Sequence, residues 1–197
     1  APHPYIHSYP TRRSSDLNAV LSMQEKLIIM NESEKTHSEQ VYDLVLKIGE
    51  AINLSKSELN DLGLSAKYHD IGKLGIPKEI LLKNTTLTTE EYDKVKRHSE
   101  IGYQIIKSAD SLIHIAESVL HHHENWDGSG YPNGLSGLSI PLYSRIIHVA
   151  DAYESMIHFR PYKDQKTIEE ATNELIEQSS KQFDPEVVTA FIKMLNS

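Results

Sequence analysis

The sequence predicts an all-α fold, a helical bundle interrupted by one long glycine-rich loop. Three observations predict it. Apolar residues recur at spacings of three and four in segment after segment beyond Leu17, helix-start signatures precede several of those segments, and no convincing alternation of period two marks a strand. With 197 residues and 39% hydrophobic content, the chain supports one ordinary globular core.

The opening APHPYIHSYPTRRSSDL is rich in Pro, Ser and Arg and follows neither period, so residues 1–16 are expected to be a disordered or extraneous leader. SYPTRRSSDL also looks like translated adapter sequence, and an upstream sensor or receiver domain is expected to be missing from the chain. Residues 17–33 read as a linker helix and 34–197 as the functional domain. Within it, Val41, Leu44, Val45, Ile48 and Ile52 form the buried face of a helix opening near Ser33 to Thr36. A second begins around Ser55 to Ser57 and buries Leu59, Leu62 and Ala66. Thr88 with Glu91 makes a capping box for a third, whose stripe is Tyr92, Val95, Gly102, Ile105 and Ile106. A fourth, from about Ser111, buries Leu112, Ile115, Ala116 and Val119. Asn125 to Ile140 holds four of the nine glycines and must be a long structured loop. Pro141 suits the first position of a fifth helix, Thr167 with Glu170 caps a sixth, and Asp184-Pro185 opens a seventh that carries Val187, Val188, Phe191 and Leu195 inward.

A formal net charge of -8 argues against a surface that follows a polyanionic backbone, so nucleic acid is not an expected partner. No apolar run is long enough to cross a bilayer, and a cytoplasmic location is expected. Cysteine is absent, which removes disulfides, thiolate metal sites and cysteine nucleophiles. Any metal must be held by nitrogen and oxygen, and eleven histidines are available.

Helical phase sorts those histidines. His37 lies four residues before Val41, His69 three after Ala66, and His98 three after Val95, all on buried faces. In His121-His122-His123, the last two continue the face of Val119 while His121 points away; Asp151 is embedded in an apolar helix. A lone inward histidine is more often a hydrogen-bonded core residue than a ligand, and His37 alone would be read so. Five inward histidines with Asp70 and Asp151 would need a large polar core, whereas divalent cations satisfy them together. Adjacent His69 and Asp70 can give a nitrogen to one ion and a bridging carboxylate to a second, the arrangement of two-metal phosphoester hydrolysis. Such donors suit Fe, Mn, Co, Ni or Zn.

The segments KYHDIGKLGIPKEIL, LTTEEYDKVKRHSEIG, HHENWDGSGYPNGLSGLSIPLYSRIIHVADAYESM and FRPY together resemble, in order and spacing, the HD-GYP subgroup of the HD phosphohydrolase superfamily. The resemblance runs from about His37 to Phe191. It implies an HD-domain-like bundle with a centre of two metal ions, or three, iron or manganese, that linearises cyclic di-GMP to pGpG or takes it on to GMP in bacterial second-messenger signalling. It implies His37, His69, Asp70, His98, His122, His123 and Asp151 as metal ligands, with Asp70 the bridge. Lys73 is then a phosphate contact; a solvated lysine after a helix end is its plainer alternative. Gly130, Tyr131 and Pro132 match the GYP element, which shapes the loop and contacts substrate or partners. Arg145 and Arg160 resemble family arginines, with a surface ion pair as the competing role for each. Glu154 stands where Asp is usual, and Glu34 or Ser33 would answer to the glutamate that accompanies a third ion. Asn125 replaces a common Arg, and a Ser in SSKQFDP replaces a frequent Gly. His114, His121, His148, His158, His3 and His7 carry no site role in this reading, and Trp126 is a loop anchor. Partners implied are the cyclic dinucleotide and, beyond it, a second copy or a signalling protein. Two other functions stay open: hydrolysis of another phosphoester, such as cyclic GMP-AMP, and a silent binding module, whose mark would be lost ligands.

Overall fold

The computed structural model describes residues 12–31, 33–158 and 165–196. Its helices, in order, are α1 (Arg12–Met30), α2 (Ser33–Ala51), α3 (Lys56–Tyr68), α4 (Lys78–Leu81), α5 (Thr89–Lys96), α6 (His98–Lys107), α7 (Ala116–Leu120), α8 (Leu142–Ile157), α9 (Ile168–Glu177) and α10 (Pro185–Leu195). Short 3-10 turns at Ile71–Gly75, Ile113–Ile115 and Gly137–Ser139 join them, and no β-strand forms among the described residues. The all-α expectation holds.

Four of these helices start at side-chain caps that the sequence carries. Ser55 with Glu58, Thr88 with Glu91 and Thr167 with Glu170 each make both hydrogen bonds of a capping box, opening α3, α5 and α9. Asp184 accepts from the Glu186 amide and Pro185 takes the first position of α10. Pro141, expected at the first position of its helix, instead lies one residue before α8 and makes no side-chain cap.

The apolar faces close on two clusters. One joins Val41, Val45 and Ile48 of α2 to Leu62 and Ala66 of α3, Val149 and Tyr153 of α8, Leu175 of α9 and Phe191 of α10. The other gathers Val20 of α1 and Tyr68 of α3 with Ile71, Ile106, Ile115 and Val119. Helix α3 contributes to both clusters, and it ends at the His69-Asp70 pair.

Four expectations are corrected. Helix α1 begins at Arg12, inside the expected leader, and packs as part of the body: Val20 and Leu27 are buried, and Gln24 Nε2 donates to the Lys67 carbonyl at 3.2 Å. Tertiary anchoring extends a helix that the local pattern does not signal. The expected third helix breaks at Arg97 into α5 and α6, and α5 buries no residue, so Tyr92 is 50% exposed. Leu195 is 37% exposed because α10 ends at it. His121 is buried, since α7 stops at Leu120 and the turn, not helical phase, aims its ring.

The turn Ile71–Gly75 and α6 approach unusually closely. A Cβ on Gly72 would lie 1.8 Å from the His98 carbonyl oxygen and 2.4 Å from the Gly102 nitrogen. Only glycine fits there, and the contact brings Asp70 beside His98.

Candidate metal centre

Seven side chains from separate parts of the chain meet between the two clusters. His37 comes from α2, His69 and Asp70 follow α3, His98 opens α6, His122 and His123 follow α7, and Asp151 lies on α8. Two groups have donor atoms close enough to share an ion: His37, His69 and Asp70, and His98, His122 and His123. Asp70 faces both groups. Its Oδ2 lies 3.1 Å from His69 Nε2 and 3.5 Å from His37 Nε2, while its Oδ1 lies 3.4 Å from His98 Nε2. Asp151 Oδ1 lies 3.3 Å from His37 Nε2.

Backbone carbonyls fix which ring nitrogen faces inward. His69, His98 and His122 each donate Nδ1–H to the carbonyl three residues earlier, Ala66 at 2.7 Å, Val95 at 2.7 Å and Val119 at 2.6 Å. His37 Nδ1 pairs with Glu154 Oε2 at 2.5 Å. Every one of these rings therefore turns its Nε2 toward the centre, as a lone pair whenever the ring is neutral. Among the described residues, His37 Nε2 and His69 Nε2 are buried without a hydrogen-bond partner. His98 Nε2 and His122 Nε2 face each other at 3.2 Å, lone pair against lone pair. A cation between such atoms removes both the repulsion and the orphaned acceptors, so the residues fit a metal centre of nitrogen and oxygen donors.

The local electrostatics divide the same way. Burial, reinforced by neighbouring imidazoles, pushes His122 and His123 well below the ordinary histidine range, and burial also lowers His98. Burial opposes protonation of His37 too, but the carboxylates of Asp151, Asp70 and Glu154 around it raise it well above that range; His69 is raised against burial by Asp70. Against burial, Lys73 and His69 hold the Asp70 carboxyl well below its ordinary value, and His37 does so for Asp151.

The other expected site residues divide between this centre and places apart from it. Lys73 Nζ donates to Asp70 at 2.7 Å and to Glu34 at 3.0 and 3.1 Å, so it is a partly buried ion pair rather than a solvated lysine. Glu34 and Glu154 are both buried. Tyr131 stacks on His123, ring centroids 4.8 Å apart, and its amide donates to the His123 carbonyl at 3.2 Å. A Cβ on Gly130 would fall 2.2 Å from the Asn125 nitrogen, so this glycine lets the loop fold back on its own start. Pro132 follows Tyr131 through a cis bond. Arg145 stands apart: its guanidinium pairs with Asp184, donates from Nε to the Ile140 carbonyl at 3.0 Å and lies over Trp126, tying the loop to α10. The plainer reading of Arg145, an ion pair, is the one observed. Arg160 lies outside the described residues.

Three residues that the sequence reading left without a site role organise the centre. Glu124, buried, accepts from the Asn133 amide at 2.7 Å and the Leu135 amide at 3.1 Å, pinning the stretch of loop that follows Tyr131. His121 lies between Glu117 and Glu124, at 3.2 and 3.4 Å. His148, three residues before Asp151, donates Nδ1–H to the His122 carbonyl at 2.7 Å and so sets the path of the ligand pair. Its spacing from Asp151 was the available signal for His148; the acid beside His123 was the signal for Glu124.

Comparison with known proteins agrees with this geometry. The family described as HD domain matches residues 22–187. The cyclic di-GMP phosphodiesterase of Thermotoga maritima is 44% identical over 160 residues, 80% of this chain and 44% of that protein. The 3'3'-cGAMP-specific phosphodiesterase 2 of Vibrio cholerae is 34% identical over 159 residues, 80% of this chain and 30% of its own. The chain thus spans less than half the length of these curated relatives. A solved structure, Bd1817, a HDG"Y"P protein from Bdellovibrio bacteriovorus, shares the fold with a TM-score of 0.67 at 18% identity, over 94% of this chain and 62% of that one.

Proposed function

This chain belongs to the HD-domain family, in its HD-GYP subgroup, and from that premise we propose that it is a metal-dependent phosphodiesterase that opens a cyclic dinucleotide of the cyclic di-GMP class to pGpG, GMP or both. The observation that carries the reading is the split of Asp70, whose two oxygens face two different histidine groups. A pair of divalent cations held there, when bound, polarises the phosphodiester and lowers the pKa of an attacking water. The chain's own contribution is orientation and charge. The Nδ1 hydrogen bonds hold Nε2 of His37, His69, His98 and His122 inward, with His123 and Asp151 completing the donor set. Lys73 keeps an ammonium beside Asp70, where exchange of Glu34 for a phosphate oxygen stabilises developing charge. The nitrogen and oxygen donors suit Fe, Mn, Co, Ni or Zn alike, the family resemblance favours iron or manganese, and two three-donor groups among the described residues suit two ions. No described helix is long and apolar enough to cross a membrane, and we assign the activity to the cytoplasm.

The similarity to the cyclic GMP-AMP enzyme of Vibrio cholerae supports a second substrate, cyclic GMP-AMP, for the same chemistry. A silent binding module is the weaker reading, because the donors of both groups are present. Residues 12–197, purified with bound metal quantified, should linearise cyclic di-GMP in a chromatographic assay, and Asp70→Asn should keep the fold and lose turnover at least 100-fold. Equal turnover by both proteins would reject the mechanism; metal without turnover in the parent would leave a binding module.

A further inference from the structure

A cavity of about 770 Å³ opens beside the metal centre. One wall is polar, with His37, Lys73 and Glu154; the other is largely apolar, with Leu87, Tyr92 and Val95. A ligand with an anionic group at one end and a flat ring at the other matches both walls, and the volume lies in the range of small-molecule sites.

Tyr92 and Gln40, both in the lining, each leave something unfinished beside this space. Tyr92 is on the face that the sequence pattern assigns to the core, yet it is half exposed and lines the cavity. A stacked ring recovers the burial it lacks. Gln40 is oriented by a chain of contacts that starts at Glu154. His158 Nδ1 lies 3.2 Å from the Glu154 backbone oxygen and 3.4 Å from its carboxylate, both acceptors, so Nδ1 carries the hydrogen. His158 Nε2 is then the acceptor for Gln40 Nε2 at 2.8 Å. With His158 neutral this orients the amide, and its Oε1 is left as a buried acceptor with no partner among the described residues. A ring N–H or an exocyclic amine of an entering base satisfies it, through a small change in the terminal amide torsion, whose minimum is broad.

We propose that this cavity is the subsite for one purine base of the cyclic dinucleotide, with Tyr92 as its stacking face and Gln40 as the acceptor for its hydrogen-bonding edge. The assignment rests on the phosphodiesterase reading above. It also separates two roles. The base lies on the α2 and α5 side of the centre, whereas Tyr131, stacked on His123, positions a ligand ring and is not part of the cavity lining. Guanine offers adjacent N1–H and amino donors to Gln40, and adenine offers its amino group alone.

The test uses the metal-loaded protein and its Tyr92→Ala, Tyr92→Phe and Gln40→Leu variants, with KM and kcat for cyclic di-GMP measured beside its binding by calorimetry. Tyr92→Ala should raise KM and Kd about 5- to 100-fold with kcat within about twofold, and Tyr92→Phe, which keeps the ring, should stay near the parent. Gln40→Leu should raise both about fivefold. Equal affinity in all variants, or a fall in kcat at unchanged KM, overturns the subsite. If the parent binds cyclic di-GMP without turning it over and Tyr92→Ala weakens that binding, the phosphodiesterase reading fails while the subsite stands. If the parent does not bind it, both fall.

Discussion

Gly72 and His98 are in backbone contact so close that a methyl group on the first would fall 1.8 Å from the carbonyl oxygen of the second. This contact joins the turn carrying Asp70 to the helix carrying His98, and with it the two halves of the metal centre. Gly72→Ala must push them apart. It should cost about 1–3 kcal/mol of stability and reduce bound metal, read by denaturant unfolding and metal analysis. Parent-like stability and metal content would show that the turn has room to move.

Removing metal should destabilise the protein, because it leaves the Nε2 lone pairs of His98 and His122 facing each other and leaves His37 and His69 to carry buried protons beside Asp70 and Asp151. A cation at about 100 times its dissociation constant contributes roughly 2.7 kcal/mol. Chelation should therefore lower the melting temperature by several degrees, and returning iron or manganese should restore it. An unchanged melting curve would remove the ions from the folded core.

Metal binding near neutral pH should release protons from one half of the site only. His37 and His69 are raised, so they carry protons in the metal-free protein above the ordinary histidine value, while His98, His122 and His123 are lowered and already neutral. A cation must displace the first pair's protons, so apparent affinity should rise with pH until the raised values are passed. Calorimetric titrations in two buffers of different ionisation enthalpy read the number released. Zero at pH 7 would contradict the carboxylate-held protonation of His37.

Glu124 holds the loop through two charge-assisted bonds, to the amides of Asn133 and Leu135. Glu124→Ala should cost about 2–4 kcal/mol and lower turnover, since the stack of Tyr131 on His123 depends on that loop. Unfolding and activity measurements check it. Intact activity in a destabilised variant would separate the loop from the chemistry.

Ser180 occupies the left-handed region at φ 65°, where its amide donates to the Phe183 carbonyl at 2.9 Å. A glycine adopts that conformation without the side-chain clash, at some cost in unfolded-chain entropy. Ser180→Gly should gain roughly 0.5–1 kcal/mol, visible as a higher denaturation midpoint with unchanged activity. The family resemblance marks a Ser in SSKQFDP as standing in place of a frequent Gly, and the positive φ identifies Ser180 as the position where glycine is favoured.

What could be read from the chain alone was what neighbouring residues decide. Three and four spacing, with caps at Ser55, Thr88 and Thr167, specified helices because those interactions close within one turn. The same phase aimed His37 inward, while His69 and His98 lie inward although α3 ends at Tyr68 and a break at Arg97 separates His98 from Val95, and the motif strings completed the donor set. The tertiary structure decided everything that crosses between helices: which oxygen of Asp70 meets which group, the pairing of Arg145 with Asp184, the hold of Glu124 on its loop, and the exposure of Tyr92. His121 marks the boundary, because helical phase carries no information past Leu120, where the helix ends. Beyond that point a side chain's direction depends on contacts distant in sequence, which no local period encodes.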